Sequence, residues 1–171
     1  MTSYTLDTCA LIYIYEHPNV GGLVGCRFDS SKSNFYICSM NRIELERKGY
    51  DFYDVVIRVQ QNITAKIIVE DITPEIMDNA KILSCGCKDL HKGDREILSF
   101  AISKHSILVT SDKGLLKCCK KIGAKAINLH GLATNYTKRP RAFYGRVSRY
   151  ARGIPKESLW GCCLPVGGGI T

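Results

Sequence analysis

Five short apolar segments alternate with helical patterns through most of the sequence, and this alternation constrains the fold more than any other feature. The segments YTLDTC, NFYICS, KIIVED, SILVTS and KAINL are bounded and rich in Ile, Val, Tyr and Thr, as β-strands are. Helical patterns lie between them, near residues 42–48, 53–62, 74–83, 94–104 and 113–122. The sequence therefore predicts an α/β fold with a mostly parallel central sheet covered on both faces.

Two aspartates bracket the fourth helix and strand in the stretch GDREILSFAISKHSILVTSDKGL. A helix that starts at Asp94 descends roughly 15 Å over about ten residues. After a turn at His105, the strand SILVTS returns over roughly 17 to 20 Å. Asp94 and Asp112 are therefore expected at the same carboxyl edge of the sheet.

Two further acids are predicted at this edge. Asp7 lies near the end of the first strand, and Glu44 lies in the first turns of the helix after the second strand. If strands two and three extend to one side and strands four and five to the other, strands one and four are neighbours at a topological switch point. Open α/β sheets bind their ligands in the crevice at such a point.

Each acid also has a purely structural interpretation. Asp94 and Asp112 could cap their helices, Asn41 and Glu44 resemble a capping box, and Asp7 could simply end a strand. Capping does not, however, require four carboxylates to converge on one crevice. Their joint placement therefore favours a functional site.

Convergent carboxylates need a counterion, since two like charges at about 4 Å repel by roughly 4 kcal/mol at an effective dielectric of 20. Ligands that are all oxygen favour Mg²⁺ or Mn²⁺ over zinc. The nine cysteines lack the usual CxxC spacing of zinc sites. In a reducing cytosol they would stay thiols, and buried thiols are a simpler explanation than a zinc site; whether any of them form disulfides stays open.

The four motifs, taken in order, resemble those of PIN-domain nucleases, in particular the single-domain ribonucleases that are the toxin half of VapBC modules. The resemblance covers about residues 3–130. It rests on LDTCALI with Asp7, CSMNRIELERKG with Glu44, GDREILSFAISK with Asp94 and LVTSDKGLLK with Asp112. The stretch KKIGAKAINL resembles the closing helix and strand of the family.

This resemblance implies a three-layer α/β/α sandwich with strand order 3-2-1-4-5. It also implies that the four acids hold one or two Mg²⁺ or Mn²⁺ ions and hydrolyse RNA phosphodiester bonds without a covalent intermediate. Thr8 and Thr110 match positions where the family often has a hydroxyl near the metal. Strand-end packing or a local hydrogen bond would explain these two threonines equally well.

The sequence departs from the short toxins after about residue 130, where a basic segment begins. Residues 138–171 contain seven Lys or Arg and one Glu, a net charge of +6 out of the +8 of the chain. We therefore predict a nuclease domain at residues 1–130 and a basic extension at 131–171.

The arginines of the extension are interleaved with aromatic residues, which suits phosphate contact and base stacking. The candidate RNA-binding residues are Arg139, Arg141, Arg146, Arg149 and Arg152. An extension that docks on the domain through its aromatic residues is the alternative.

The biological role stays open between a toxin and an enzyme of RNA processing or decay. A toxin would have a cognate antitoxin protein as a partner, in addition to RNA, and homo-oligomers are compatible with either role. A non-catalytic PIN-like module that binds RNA or acts as a scaffold is the alternative to an enzyme.

The N-terminus is a poor signal peptide, and the longest apolar run, CALIYIY, is far too short to cross a membrane, so a cytoplasmic location is expected.

Overall fold

A five-stranded parallel sheet lies at the centre of the computed structural model, which describes residues 1–138 except for the side chains of residues 84, 85 and 134–138. The strands are β1 (Thr2–Leu6), β2 (Ser33–Cys38), β3 (Ile67–Glu70), β4 (Ile107–Thr110) and β5 (Ala126–Asn128). Their spatial order is β3-β2-β1-β4-β5, and every pairing is parallel. The predicted sheet, its strand order and the adjacency of strands one and four are confirmed.

Eight α-helices accompany the strands in the described part of the chain. They are α1 (Thr8–Glu16), α2 (Pro18–Arg27), α3 (Ser39–Arg47), α4 (Phe52–Ile63), α5 (Pro74–Gly86), α6 (Lys92–Ser103), α7 (Lys113–Ile122) and α8 (Leu129–Lys138). Helices α3 to α7 correspond to the five predicted helical patterns, and α7 has the predicted bounds. Helix α3 begins three residues earlier than predicted, and α6 begins two residues earlier.

Helices α1 and α2 were not predicted, and the first strand is shorter than predicted. Asp7 ends the strand because its carboxylate caps α1 by accepting a hydrogen bond from the backbone N–H of Thr8. Leu11 and Ile14, one helical turn apart, are fully buried in the core. The Ile and Tyr residues of this segment have high β-propensity, but the cap and the buried face of the helix outweigh it.

Helix α2 contains three glycines, which disfavour a helix, and its packing explains why it forms. A Cβ added at Gly21 would collide with the Cβ of Asn62, and one added at Gly25 would collide with the backbone carbonyl of Ile63. Gly21 and Gly25 lie one helical turn apart and thus face α4 together. Their missing side chains let the two helices approach closely, and this packing compensates for the poor propensity.

Apolar residues pack on both faces of the sheet and form two core clusters. One cluster joins residues of β1 and β2, such as Leu6 and Phe35, to helices α1, α2 and α4. The other joins Leu108 of β4 to helices α5, α6 and α7. The predicted three-layer α/β/α sandwich is therefore confirmed.

A disulfide joins Cys87, directly after α5, to Cys118 in α7, with 5.8 Å between their Cα atoms. The sequence leaves disulfide formation open, and this pair forms because the end of α5 lies beside α7 and brings the two sulfurs together. Among the described cysteine side chains, Cys9, Cys26, Cys38 and Cys119 are free thiols.

The predicted C-terminal extension, residues 131–171, lies mostly outside the described residues. The domain boundary after residue 130 therefore stays a prediction. Within residues 1–138, no helix has the length and apolar character that a membrane span requires.

Candidate metal centre

Asp7 lies at the carboxyl edge of the sheet, between β1 and α1, and is only 3% exposed. Its Oδ1 accepts a hydrogen bond from the backbone N–H of Thr8 at 2.7 Å. Its Oδ2 accepts hydrogen bonds from the hydroxyl of Thr110 at 2.7 Å and from the thiol of Cys9 at 2.8 Å. Three donors thus fix the orientation of this carboxylate at the predicted switch point.

Glu44 reaches the same edge because a buried asparagine anchors the first turn of α3. The side-chain amide of Asn41 donates to the carbonyl of Leu6 at 3.1 Å, and its Oδ1 accepts from the backbone N–H of Cys38 at 2.8 Å. The helix is capped by this Cys38 and Asn41 pair, so the predicted capping box of Asn41 with Glu44 is wrong. Glu44, one turn further along the helix, is left to face the crevice, where it is half-buried.

Asp94 comes from the opposite half of the sheet, in the first turn of α6. The helix begins at Lys92 with His91 at its N-cap position, so the interpretation of Asp94 as a capping residue is wrong. The side chain of Asp94 is half-buried in the crevice.

The carboxylates of Asp7, Glu44 and Asp94 converge, since one oxygen from each lies within 4.8 Å of the others. The pKa of Asp94 is raised to about 6, first by burial and then by the negative charges of Asp7, Glu44 and Asp112, while His91 acts in the opposite direction. The convergence predicted from the sequence is present for three of the four acids, and their mutual repulsion is the expected property of a cation site.

Asp112 lies at the same edge but outside this group of three. Its Oδ1 accepts a hydrogen bond from the backbone N–H of Leu115 at 2.7 Å and so caps α7, as the structural interpretation expected. The side chain is exposed, and its charge still reaches Asp94. Its predicted role as a metal ligand stays a prediction.

Thr8 and Thr110 are both buried, and both belong to the hydrogen-bond network around Asp7. Thr110 donates to the Asp7 carboxylate and accepts from the backbone N–H of Asp112 at 3.0 Å, so it connects two of the acids. The hydroxyl of Thr8 accepts from Asn41 at 3.2 Å and supports the anchor of α3. Both threonines thus lie beside the acids, and their contact with a metal ion stays a prediction.

Cys9 and Gly93 are parts of the site that the sequence analysis missed. The thiol of Cys9 donates to Asp7 and accepts a hydrogen bond from the backbone N–H of Ser111 at 3.2 Å. Gly93 packs against Glu44 so closely that a Cβ at this position would overlap the Oε1 of Glu44. The only sequence signal for either residue is its proximity to a candidate ligand, two residues after Asp7 and one before Asp94.

The donor set suits a hard divalent cation. The three converging groups are carboxylates, and no cysteine or histidine joins them among the described side chains. Mg²⁺ and Mn²⁺ accept such oxygen ligands and keep several waters in their remaining positions. The residues present therefore fit the metal that the sequence resemblance implies.

We predict that Mn²⁺ affinity rises with pH through the range where Asp94 ionises. With the pKa of Asp94 at about 6, binding must displace a proton below that pH, so affinity is expected to rise up to about tenfold per pH unit and to level off near pH 7. Calorimetric titration with Mn²⁺ at several pH values would measure this. The Asp94→Asn variant should lose this dependence, and an affinity for the wild type that is constant from about pH 5 to 7 would contradict the prediction.

The five arginines predicted to bind RNA, from Arg139 to Arg152, lie outside the described residues. Their role stays a prediction.

No protein-family model and no curated protein matches this sequence. Several solved structures do match in fold. VapBC-1 from nontypeable Haemophilus influenzae is 17% identical over 75% of this chain and 99% of the matched chain, with a TM-score of 0.58. VapBC2 from Rickettsia felis, bound to a DNA fragment from its promoter, is 16% identical over 74% of this chain and 98% of the matched chain, with a TM-score of 0.56. A PilT N-terminus domain protein from Sulfolobus solfataricus is 16% identical over 78% of this chain and 92% of the matched chain, with a TM-score of 0.50.

Proposed function

Because the chain has the VapC-like PIN-domain fold, we propose that it is a metal-dependent endoribonuclease that hydrolyses RNA phosphodiester bonds. The observation that carries the proposal is the convergence of Asp7, Glu44 and Asp94 within 4.8 Å at the switch point of the sheet. A fold maintained for binding alone has no need to hold three mutually repelling carboxylates at this position.

Asp7, Glu44 and Asp94 would hold Mg²⁺ or Mn²⁺. Asp112 lies close enough for its negative charge to act on Asp94 and so to favour a cation at the site. When bound, such a cation activates a water and offsets the charge that develops on the phosphodiester during in-line attack. Thr110 and the backbone N–H of Thr8 keep the Asp7 carboxylate aimed at the crevice.

Hydrolysis without a covalent intermediate agrees with the protonation state of Cys9, whose thiol contacts Asp7. Burial and the charge of Asp7 raise the pKa of Cys9 to about 12, so the thiol stays protonated at neutral pH. A protonated thiol that donates to Asp7 is a poor nucleophile. We assign Cys9 to orientation of the carboxylate and the attack to water.

RNA is the proposed substrate because of the resemblance to the VapC-like ribonucleases and the uneven charge of the chain. The basic segment at residues 138–171 would attract a polyanion to a protein whose acidic site repels phosphate until cations bind.

Both a toxin role and a role in RNA processing or decay are compatible with this chemistry. The resemblance to VapBC proteins favours the toxin, whose partner would be a cognate antitoxin protein that covers the acidic crevice. The neighbouring gene would distinguish the two roles: a small DNA-binding protein encoded immediately upstream favours the toxin, whereas an isolated gene favours processing or decay.

Cleavage by the wild type and by Asp94→Asn tests the proposed reaction. On single-stranded and structured RNA with Mn²⁺, we expect the variant to lose at least about 100-fold in rate, since changes around a metal's ligands already cost 10- to 100-fold. Glu46→Gln is the matched control, because Glu46 pairs with Arg42 at 2.8 Å on the exposed side of α3. Equal cleavage by the wild type and Asp94→Asn would refute the assigned site, and RNA binding without cleavage would favour the non-catalytic module.

A further inference from the structure

A cavity of about 300 Å³ lies between the end of α5, the connection to α6 and one side of α7. Its lining comprises the last residue of α5, residues 87–90 of the connection, and Gly114, Lys117, Cys118 and Lys121 of α7. This volume is at the lower end of the range for sites that hold small molecules. It suits a group of the size of one nucleotide and is too small for a folded protein element.

The cavity reaches Gly114 in the first turn of α7, two residues after Asp112, which lies at the same edge of the sheet as the candidate metal centre. A Cβ added at Gly114 would lie 3.0 Å from the Oδ1 of Asp112 and 3.4 Å from the Cδ2 of Leu90. The glycine therefore marks the place where the cavity meets the acidic edge.

The inner surface of the cavity is mainly apolar. Leu90 is 7% exposed, and the disulfide between Cys87 and Cys118 ties the connection to α7. An apolar wall fixed in this way offers a surface against which a base or a ribose can lie.

The cavity rim is cationic. The lining contains three lysines and one acid, Asp89. Lys121 donates a hydrogen bond to the backbone carbonyl of Gly86 at 2.7 Å. Lys88 and Lys117 are exposed, and neither takes part in the ion pairs found among the described residues. They are the two cations most available to contact phosphate.

We propose that this cavity binds the RNA nucleotide next to the cleaved phosphodiester, with its base or ribose against Leu90 and the disulfide and its phosphate between Lys88 and Lys117. The inference rests on the proposed nuclease function and places the RNA strand on the α7 side of the acids. A single nucleotide fits the volume, the cationic rim and the position of Gly114 next to Asp112 better than an acidic protein segment does.

Charge reversal with a matched control tests the proposal. All proteins carry Asp94→Asn in the full chain, so that RNA is bound and not cleaved. Lys88→Glu/Lys117→Glu changes the cavity rim, whereas Lys120→Glu/Lys125→Glu makes the same change of charge at exposed lysines outside the cavity lining. The affinity for a short single-stranded RNA is measured by fluorescence anisotropy against salt concentration. RNA that carries 4-thiouridine is cross-linked in parallel and mapped by mass spectrometry.

We expect the cavity double variant to lose at least about tenfold in affinity, and its salt slope to fall by about 0.7 for each phosphate contact removed. The control should lose less than about threefold, and cross-links should map to residues 86–90 or 114–121. Equal losses of RNA affinity in the two double variants, or cross-links confined to other peptides, would overturn the proposed binding in the cavity and leave the nuclease proposal standing. Unchanged RNA affinity in both would overturn it in favour of an acidic protein segment as occupant. Absence of RNA binding by the parent protein would overturn both proposals.

Discussion

Replacing Gly93 with alanine is expected to lower the affinity for Mn²⁺ by about 100-fold while the protein stays folded. The new Cβ would overlap the Glu44 Oε1, and this carboxylate is the far end of a flexible side chain that can rotate away at little cost. The crevice would thereby lose one of its three converging acids. Helix α6 itself should tolerate the change, because alanine is the better helix former. Calorimetric titration with Mn²⁺ and thermal unfolding without metal would measure the two effects.

Gly22→Ala is the control, since a Cβ at Gly22 in helix α2 meets no atom within 4 Å. A double-mutant cycle then shows whether Gly93 acts through Glu44. If it does, Gly93→Ala combined with Glu44→Gln should bind Mn²⁺ no more weakly than Glu44→Gln alone. Unchanged Mn²⁺ affinity in a folded Gly93→Ala protein would remove Glu44 from the proposed ligands.

The second large effect is expected on stability, at the close contact between α2 and α4. Gly25→Ala should lower the free energy of unfolding by about 2 kcal/mol, since overpacking typically costs about 1 to 3 kcal/mol. The added Cβ would collide with the backbone carbonyl of Ile63, which cannot rotate away as a side chain can. The two helices would have to separate along the core that they share with β1. Chemical denaturation at neutral pH would measure the change.

Gly22→Ala serves again as the control, because it lies in the same helix and gains helix propensity without a collision. It should be neutral or stabilising by up to about 1 kcal/mol. If Gly25→Ala were as stable as Gly22→Ala, the contact between α2 and α4 would be looser than the structure shows.

The parts of the site that the sequence predicts are those fixed by element lengths. Asp7, Glu44 and Asp94 follow or precede strands and helices whose ends must meet at one edge of a parallel sheet, so their convergence could be inferred before any coordinates. The same reasoning predicts Asp112 at this edge, where it lies, but its side chain caps α7. Which way a side chain turns at a helix start depends on local hydrogen bonds, and the spacing of residues does not determine it.

The parts that the sequence does not predict depend on contacts between distant segments. Gly25 disfavours a helix locally, and only the position of α4 shows why α2 forms there. Cys87 and Cys118 meet because the end of α5 lies beside α7, which no spacing of cysteines reveals. Gly93 needs its missing side chain because of Glu44, which belongs to the other half of the sheet.

The divided origin of the three converging acids has a consequence for biosynthesis. Asp7 and Glu44 precede Asp94 along the chain and leave the ribosome before it. Helix α6 is held in place by packing against β4 and α7, which follow later still. A nascent chain that ends before α7 therefore lacks part of the packing that holds α6, and with it Asp94, in place. The proposed nuclease activity would therefore begin only after α7 has been synthesised and the domain has folded, and until then the ribosome and its messenger would not be exposed to it.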